Sequence, residues 1–349
     1  MATEITEFEP RARARQSWSL SVERQNWPLS RPFVTSGRVC SSSEVVVVVM
    51  DDGLITGRGE AAGVYYLEDS FRMMAQIESI RARLERGVDR ADLAELLPPG
   101  GARNALDCAL WELEAKRSNQ AVWQLLGLER PQPVTTFVTI GADAPDAVAR
   151  RAQFEEPFRS ATAIKLKLAG DVEVDARRVE ALRSARPDVP IVADANQGFR
   201  ATDLPDLFRV LAEHDVAALE QPLPAGEEEV LKGLTSTVAI IADESVQTRA
   251  DIEPLVGRFD GINIKLDKCG GLTEALGMVI EARRHGLQVM VGNTIGTSLA
   301  IAPAFLLAQL CDYSDLDGPL LLESDRKPGA HYEGGAIWVD DAVWGGALA

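Results

Sequence analysis

Five short runs between Thr162 and Leu266 decide the fold: TAIKLKL (162–168), PIVADA (190–195), VAALEQP (216–222), VAIIADE (238–244) and GINIKL (261–266). Each is apolar, rich in β-branched residues and of strand length, and each carries charge at or near its end. Helix-length segments separate them, the texture of stacked βα units that feed a parallel sheet. VTTFVTI (134–140) precedes this series, and LQVMVG (287–292) and YSDLD (313–317) follow it, which makes eight runs. Helix-length segments follow every run except the last. The prediction is an α/β fold: a (β/α)8 barrel of the modified TIM (β7α) type over residues 131–320. A doubly wound sheet is the alternative, but its G-x-G-x-x-G fingerprint after the first strand is missing.

Outward from the barrel, residues 1–130 read as an α+β capping domain. SWSLSVERQNWPL alternates from Ser17, and SEVVVVVMDDGLITGRGEA reads as two strands around an Asp52-Gly53 turn. Apolar spacing of three and four predicts helices over Leu67–Arg86, Arg90–Leu97 and Ala102–Arg117. Residues 321–349, rich in Gly and Trp, form a tail expected to pack back on the capping domain.

Composition bounds the partners. Of 349 residues 46% are hydrophobic, so a large core is within reach, and the formal net charge of −17 repels nucleic acid and anionic membrane. Cys40, Cys108, Cys269 and Cys311 form no C-x-x-C pair and read as reduced thiols of a cytoplasmic protein. The opening MATEITEFEPRARAR lacks the apolar centre of a signal peptide, and the apolar run Val45–Met50 is too short to span a bilayer.

Active sites of such barrels form where the strands end, so the charges there carry the chemistry. Strand two ends in Lys165-Leu166-Lys167, strand three in Asp194, strand four in Glu220, strand five in Asp243-Glu244, strand six in Lys265 and strand eight in Asp315-Leu316-Asp317. Alternate strand residues share a face, so Lys165 and Lys167 point the same way, as do Asp315 and Asp317. Asp194, Glu220 and Asp243 converge from successive strands, and oxygen-only ligands of this kind suit Mg²⁺ or Mn²⁺. Lys167 and Lys265 flank that cluster and fall on opposite sides of a closed barrel. Two bases across one cavity are what 1,1-proton transfer requires, with a metal ion stabilising the enediolate between the two steps. Taken singly, a Lys-x-Lys is a solvated face and an Asp before a βα loop is a helix N-cap. Six strands that carry their charges at the same end outweigh that reading. His214, His285 and His331 lack partners in the sequence, Cys269-Gly270-Gly271 reads as a loop-to-helix turn, and Glu227-Glu228-Glu229 as a solvated helix start.

These residues resemble the muconate-lactonizing subgroup of the enolase superfamily. The likeness rests on Lys165-x-Lys167, Asp194-Ala-Asn196, Glu220-Gln-Pro222, Asp243-Glu-Ser245 and Ile264-Lys265-Leu-Asp-Lys268 with Gly270-Gly271, together with Arg103-Asn-Ala-Leu-Asp107-Cys-Ala-Leu-Trp111 in the capping domain. Within the subgroup, Asp315-Leu-Asp317-Gly318 is similar to the Asp-x-Asp of dipeptide epimerases, where the pair holds the substrate ammonium group. The resemblance implies a Mg²⁺-dependent epimerase that inverts the α-carbon of a dipeptide's C-terminal residue. It implies Lys167 and Lys265 as acid/base pair, Lys165 at the substrate carboxylate, and Asp194, Glu220 and Asp243 as metal ligands. Asp315, Asp317 and Asn293 are implied substrate contacts, with Asn196, Glu244 and Lys268 behind them, and homo-oligomers occur among such barrels. Where some alanyl-glutamate epimerases carry an arginine, in the loop between Leu29 and Val45, this chain has Cys40 with Arg38 nearby. A threonine contact on the first barrel strand is met by Phe137. Both departures argue against glutamate as the side chain. A cycloisomerase, an o-succinylbenzoate synthase or an N-acylamino acid racemase on the same site is the second reading, and a catalytically silent binding barrel the third.

Overall fold

The computed structural model describes residues 18–35, 38–64 and 66–347, apart from the side chains at positions 35 and 38. The reading of MATEITEFEPRARAR and any role of the Arg38 side chain lie outside what is described. β1 (Ser19–Thr35), β2 (Arg38–Asp51) and β3 (Thr56–Ala62) form an antiparallel meander. α1 (Ser70–Leu84), α2 (Arg90–Leu96) and α3 (Gly101–Ser118) pack on it, the first two capped by the Asp69 and Asp89 carboxylates.

The unbroken valine run of β2 has its reason in this packing. Val46, Val48 and Met50 face the cap core with α3, while Val45 and Val47 face the barrel core, so the strand is buried on both sides. β3 meets α3 backbone to backbone: a Cβ on Gly59 would lie 1.9 Å from the Ala105 carbonyl oxygen, and one on Gly57 2.1 Å from that of Ala109. The segment read as a loop between Leu29 and Val45 is instead the far end of the β1–β2 hairpin, with Phe33 opposite Cys40 across a register shift after Pro28. Ladder pairing with Pro28 and Trp27 overrides the weak strand propensity of Ser42 and Ser43.

α4 (Val122–Leu125) and β4 (Val134–Thr135) lead into the barrel. Its strands are β5 (Val138–Ile140), β6 (Ile164–Lys167), β7 (Ile191–Asp194), β8 (Val216–Glu220), β9 (Ala239–Ala242), β10 (Gly261–Ile264), β11 (Gln288–Val291) and β12 (Tyr313–Ser314). All eight are parallel and in sequence order, and the amide of Phe137 closes the ring on Ser314 O at 2.9 Å. α5 (Pro145–Phe154), α6 (Val172–Ala185), α7 (Leu204–Glu213), α8 (Ile252–Leu255), α9 (Leu266–Cys269), α10 (Leu272–Arg284) and α11 (Ser298–Ala308) return the chain, and only the short α12 (Gly318–Leu321) follows β12. Among the described residues no helix is long and apolar enough to cross a membrane.

The fourth and fifth units depart from expectation. Pro222, Pro224 and Gly226 leave only a 3-10 turn, Glu228–Leu231, after β8, and Pro254 and Gly257 confine α8 to four residues. Glu228 is buried and accepts from the Gly226 amide and the Ser245 hydroxyl, so it is not the solvated helix start read from the sequence.

Beyond α12, β13 (His331–Glu333) pairs with β14 (Ala336–Trp338) and β14 with β4, while the Trp344 indole donates to Arg58 O. Arg326 joins this tail to the cap: its guanidinium donates to Glu60 Oε2 at 2.7 and 3.0 Å and to the Gln25 side chain at 2.7 Å. Glu60 is fully buried and also holds Thr297 at the start of α11. Arg326→Ala strands that carboxylate and is expected to cost about 3 kcal/mol, read as a lower denaturant midpoint at unchanged slope.

Candidate active site

Parallel register places the charged residues at one rim. Lys167 lies beside Asp194 and Asp194 beside Glu220, while Asp243, Lys265 and Asp315 follow directly on their strands and Asn293 comes one residue further on. β6 and β10 are four strands apart in a ring of eight, so Lys167 and Lys265 rise from opposite sides, and both line one cavity of about 340 Å³. The cap supplies its other wall: Phe33, Cys40 and Glu44 from the β1–β2 hairpin, and Ala62 to Val64 with Tyr66 from the segment after β3.

Below this cavity lies a dense ionic cluster. The Lys165 ammonium is 2.7 Å from Glu220 Oε2, 2.8 Å from Asp315 Oδ2 and 3.0 Å from Asp194 Oδ2. Lys167 is 2.5 Å from Asp194 Oδ2 and Lys265 2.6 Å from Asp243 Oδ2. Lys268 is wholly buried and donates to the Asp243 carboxylate, to Asp243 O and to Asn263 O. The Asn196 amide donates to Asp194 Oδ1 at 2.9 Å, and Asn293 donates to Asp315 O. Asp317 Oδ2 accepts from the Thr139 amide at 2.6 Å.

Burial disfavours charge on Lys165 and Lys265, but the carboxylates around them outweigh it and hold both ammonium groups well above the usual lysine range. Asp194 and Asp243 sit below the usual carboxylate range, because neighbouring lysines more than offset their burial. In Glu220, Glu244 and Asp317 the nearby lysines do not offset burial and the neighbouring carboxylates. Burial, then the Asp194 charge, pushes Glu220 up to about 8; burial with Asp243 pushes Glu244 to about 7, and burial with Asp315 pushes Asp317 to about 7. Six carboxylates (Asp194, Glu220, Asp243, Glu244, Asp315, Asp317) share one region with four lysines (165, 167, 265, 268), so that with every acid ionised the region lacks two positive charges, the charge of one divalent cation. The donors are all oxygen, and Glu220 Oε2 accepts no well-aligned hydrogen bond although an ammonium is close by. As they stand, the carboxylates turn to the lysines, and no three acidic, His or Cys side chains among the described residues point at a common centre. Donor type, burial and charge fit a hard divalent cation nonetheless.

One expectation shifts. Phe137 packs inside the barrel with Ala163, Val192, Ala218, Ile241 and Met290 and does not line the cavity. Two residues along the same face, Thr139 reaches the rim, bonding Asp317 through its amide and approaching Asp315 Oδ1 to 3.4 Å through its hydroxyl. Cys40 does line the cavity. Burial raises the thiols of Cys108, Cys269 and Cys311, and Cys40 opens on the cavity, so it is the first expected to react with iodoacetamide. Mass mapping should find that adduct, and substrate should slow its formation. The sequence reading missed Asn263, fully buried, whose amide donates to Glu220 Oε1 at 2.9 Å; its alternation with Lys265 was the available signal. It also missed Gln221, whose side-chain oxygen accepts from the amides of Asp243 and Ser245.

Comparison with known proteins agrees with this architecture. Residues 17–127 match the model of the mandelate racemase/muconate lactonizing enzyme N-terminal domain, and residues 146–343 that of the enolase C-terminal domain-like family. The chain is 40% identical to L-Ala-D/L-Glu epimerase of Escherichia coli (strain K12) over 320 residues, 91% of this chain and 99% of the relative. An enolase family member from Agrobacterium tumefaciens with homology to dipeptide epimerases, holding sodium and L-Ala-L-Glu, superposes with a TM-score of 0.89. It shares 40% identity over 94% of this chain and all of that one. A dipeptide epimerase from Methylococcus capsulatus, complexed with Mg and L-Arg-D-Lys, gives 0.87 at 29% identity, covering 94% and 98%. This chain belongs to the mandelate racemase/muconate lactonizing enzyme family of the enolase superfamily.

Proposed function

We propose that this protein is a Mg²⁺-dependent dipeptide epimerase that inverts the α-carbon of the C-terminal residue. The observation that carries the reading is the pair Lys167 and Lys265, half a barrel apart on one cavity, with Asp194, Glu220 and Asp243 on the strands between them. Asp194, Glu220 and Asp243 would hold the cation. Bound there, it supplies positive charge to the substrate carboxylate as the neighbouring carbon loses its proton, and occupies the acids that otherwise keep the lysines protonated.

The chain's own groups do the rest. One lysine takes the α-proton from one face and the other returns a proton to the opposite face, so the configuration inverts. Lys165, fully buried among carboxylates, is a fixed cation for the substrate carboxylate. Asp315 and Asp317 offer negative charge to the ammonium group, with Asn293 bracing Asp315 through its carbonyl. Asn196, Glu244 and Lys268 hold the ligand shell. The partner is a small molecule, as the cavity size and the net charge both favour. Relatives at 29–40% identity support the reading, and the two bound dipeptides, L-Ala-L-Glu and L-Arg-D-Lys, differ in their side chains.

Incubating the protein with Mg²⁺ and a dipeptide library in ²H₂O tests it. Inverted, α-deuterated dipeptides are expected; a changed product mass points to a cycloisomerase or synthase, and no exchange points to a silent barrel. Asp317→Asn separates dipeptides from N-acylated amino acids. It should raise KM for free dipeptides roughly 10- to 100-fold, the worth of a charge-assisted hydrogen bond, and leave N-acetylated substrates unaffected.

A further inference from the structure

The motif Arg103-Asn104-Asp107-Trp111 does no chemistry at the cavity, yet each of its four residues sends a polar group to the segment that follows Lys265. Arg103 donates to Cys269 O at 2.5 Å and to Gly270 O at 3.3 Å. The Asp107 carboxylate accepts from the Thr273 amide at 3.0 Å and its hydroxyl at 2.6 Å, and the Trp111 indole donates to the same hydroxyl. Gly270 and Gly271, at φ of +89° and +115°, leave the space these side chains fill: a Cβ on Gly271 would lie 2.5 Å from Asp107 Oδ2. At the near end of this seam stands Asp267, two residues past Lys265. Its Oδ1 accepts from the Asn104 side chain at 2.9 Å and the Ala62 amide at 3.1 Å, and its Oδ2 takes the Thr294 hydroxyl. Ala62 opens the cap segment that lines the cavity, and Thr294 lines it beside Asn293.

The lysine on the other side is held differently. After Lys167, the Leu168 amide donates to Asp194 O at 2.8 Å, and the amides of Ala169, Gly170 and Asp171 all donate to Asp175, a group of the barrel itself. One base is thus tied to the cap and the other to the barrel.

We infer that Asp267 is a positioning residue for Lys265, locking the cap helix, the substrate-facing Ala62 segment and the Thr294 loop to the strand end that carries this base. The inference rests on the two-lysine reading above. A mere staple between domains would affect both bases alike, whereas a positioning role is one-sided.

The test uses the full-length protein with saturating Mg²⁺ and the small pair L-Ala-L-Ala and L-Ala-D-Ala. Deuterium uptake from ²H₂O is followed from each epimer separately, and Lys265→Ala identifies the epimer that Lys265 deprotonates. Asp267→Ala strands three buried donors and should slow exchange from that epimer roughly 10- to 100-fold, with less than about threefold loss from the other. Asp267→Asn, which keeps an acceptor for Ala62 and Asn104, should recover most of the rate. Equal losses on both epimers, or none, would overturn the inference. If the unaltered protein exchanges neither epimer, it is the two-lysine reading that fails, and amide hydrogen exchange then decides Asp267 alone. Asp267→Ala should raise exchange across residues 61–64 and 266–273 and leave 168–171 unchanged; unaltered protection in the first two segments would overturn the inference.

Discussion

Replacing Lys265 with Met is expected to reduce epimerisation by roughly three orders of magnitude while leaving α-proton exchange intact for one epimer of the substrate. Lys167→Met should show the mirror image, the same loss of inversion with exchange confined to the other epimer. The expectation follows from the placement of the two amines on strands half a turn apart around one cavity, so that each addresses one face of the reacting carbon. Folding should survive both changes, since Asp243 keeps the Lys268 ammonium at 2.5 Å and Asp194 keeps Lys165 at 3.0 Å. Exchange measured by mass on each epimer checks it. Loss of exchange from both epimers in either variant would mean that one lysine does all the proton transfer.

Glu220→Gln is expected to abolish activity and, in chelator, to raise thermal stability. Burial and the Asp194 charge push this acid to about 8, so its ionised form works against the metal-free fold, and a neutral amide of the same shape removes that repulsion. The Asn263 amide can still donate to it. In the unaltered protein Mg²⁺ should stabilise the fold by about 2.7 kcal/mol at a hundredfold excess over Kd, and chelation should stop turnover until Mg²⁺ or Mn²⁺ is returned. The Gln variant should show a flat melting temperature across the same titration. A full Mg²⁺ response in that variant would remove Glu220 from the ligand set.

Much of this was legible before any coordinates, and for a physical reason. A parallel barrel strand is a short apolar run, and its alternation tells which side chains reach the mouth, so Lys165, Lys167, Asp194, Glu220, Asp243 and Lys265 could be read strand by strand. The same rule, applied with care, also yields Asn263. It failed at the first strand because Phe137 and Thr139 share a face, and sequence alone does not say which lies at the rim and which one layer below. It failed at the β1–β2 hairpin because pairing, not propensity, makes Ser42 and Ser43 a strand. Asp267 and Gln221 were out of reach altogether: their partners lie 163 and 205 residues away in one case and across a strand boundary in the other. The helix missing after β8 and the four-residue one after β9 were foreshadowed by Pro222, Pro224 and Pro254.

The central claim is that two amines face one carbon from opposite directions while a cation sits among Asp194, Glu220 and Asp243. Diffraction from crystals soaked with Mn²⁺ and a dipeptide tests it most directly. The account predicts an anomalous peak bounded by those three carboxylates, with Lys167 Nζ and Lys265 Nζ on opposite sides of the substrate α-carbon. Both amines on one side, or a peak elsewhere in the barrel, would contradict it.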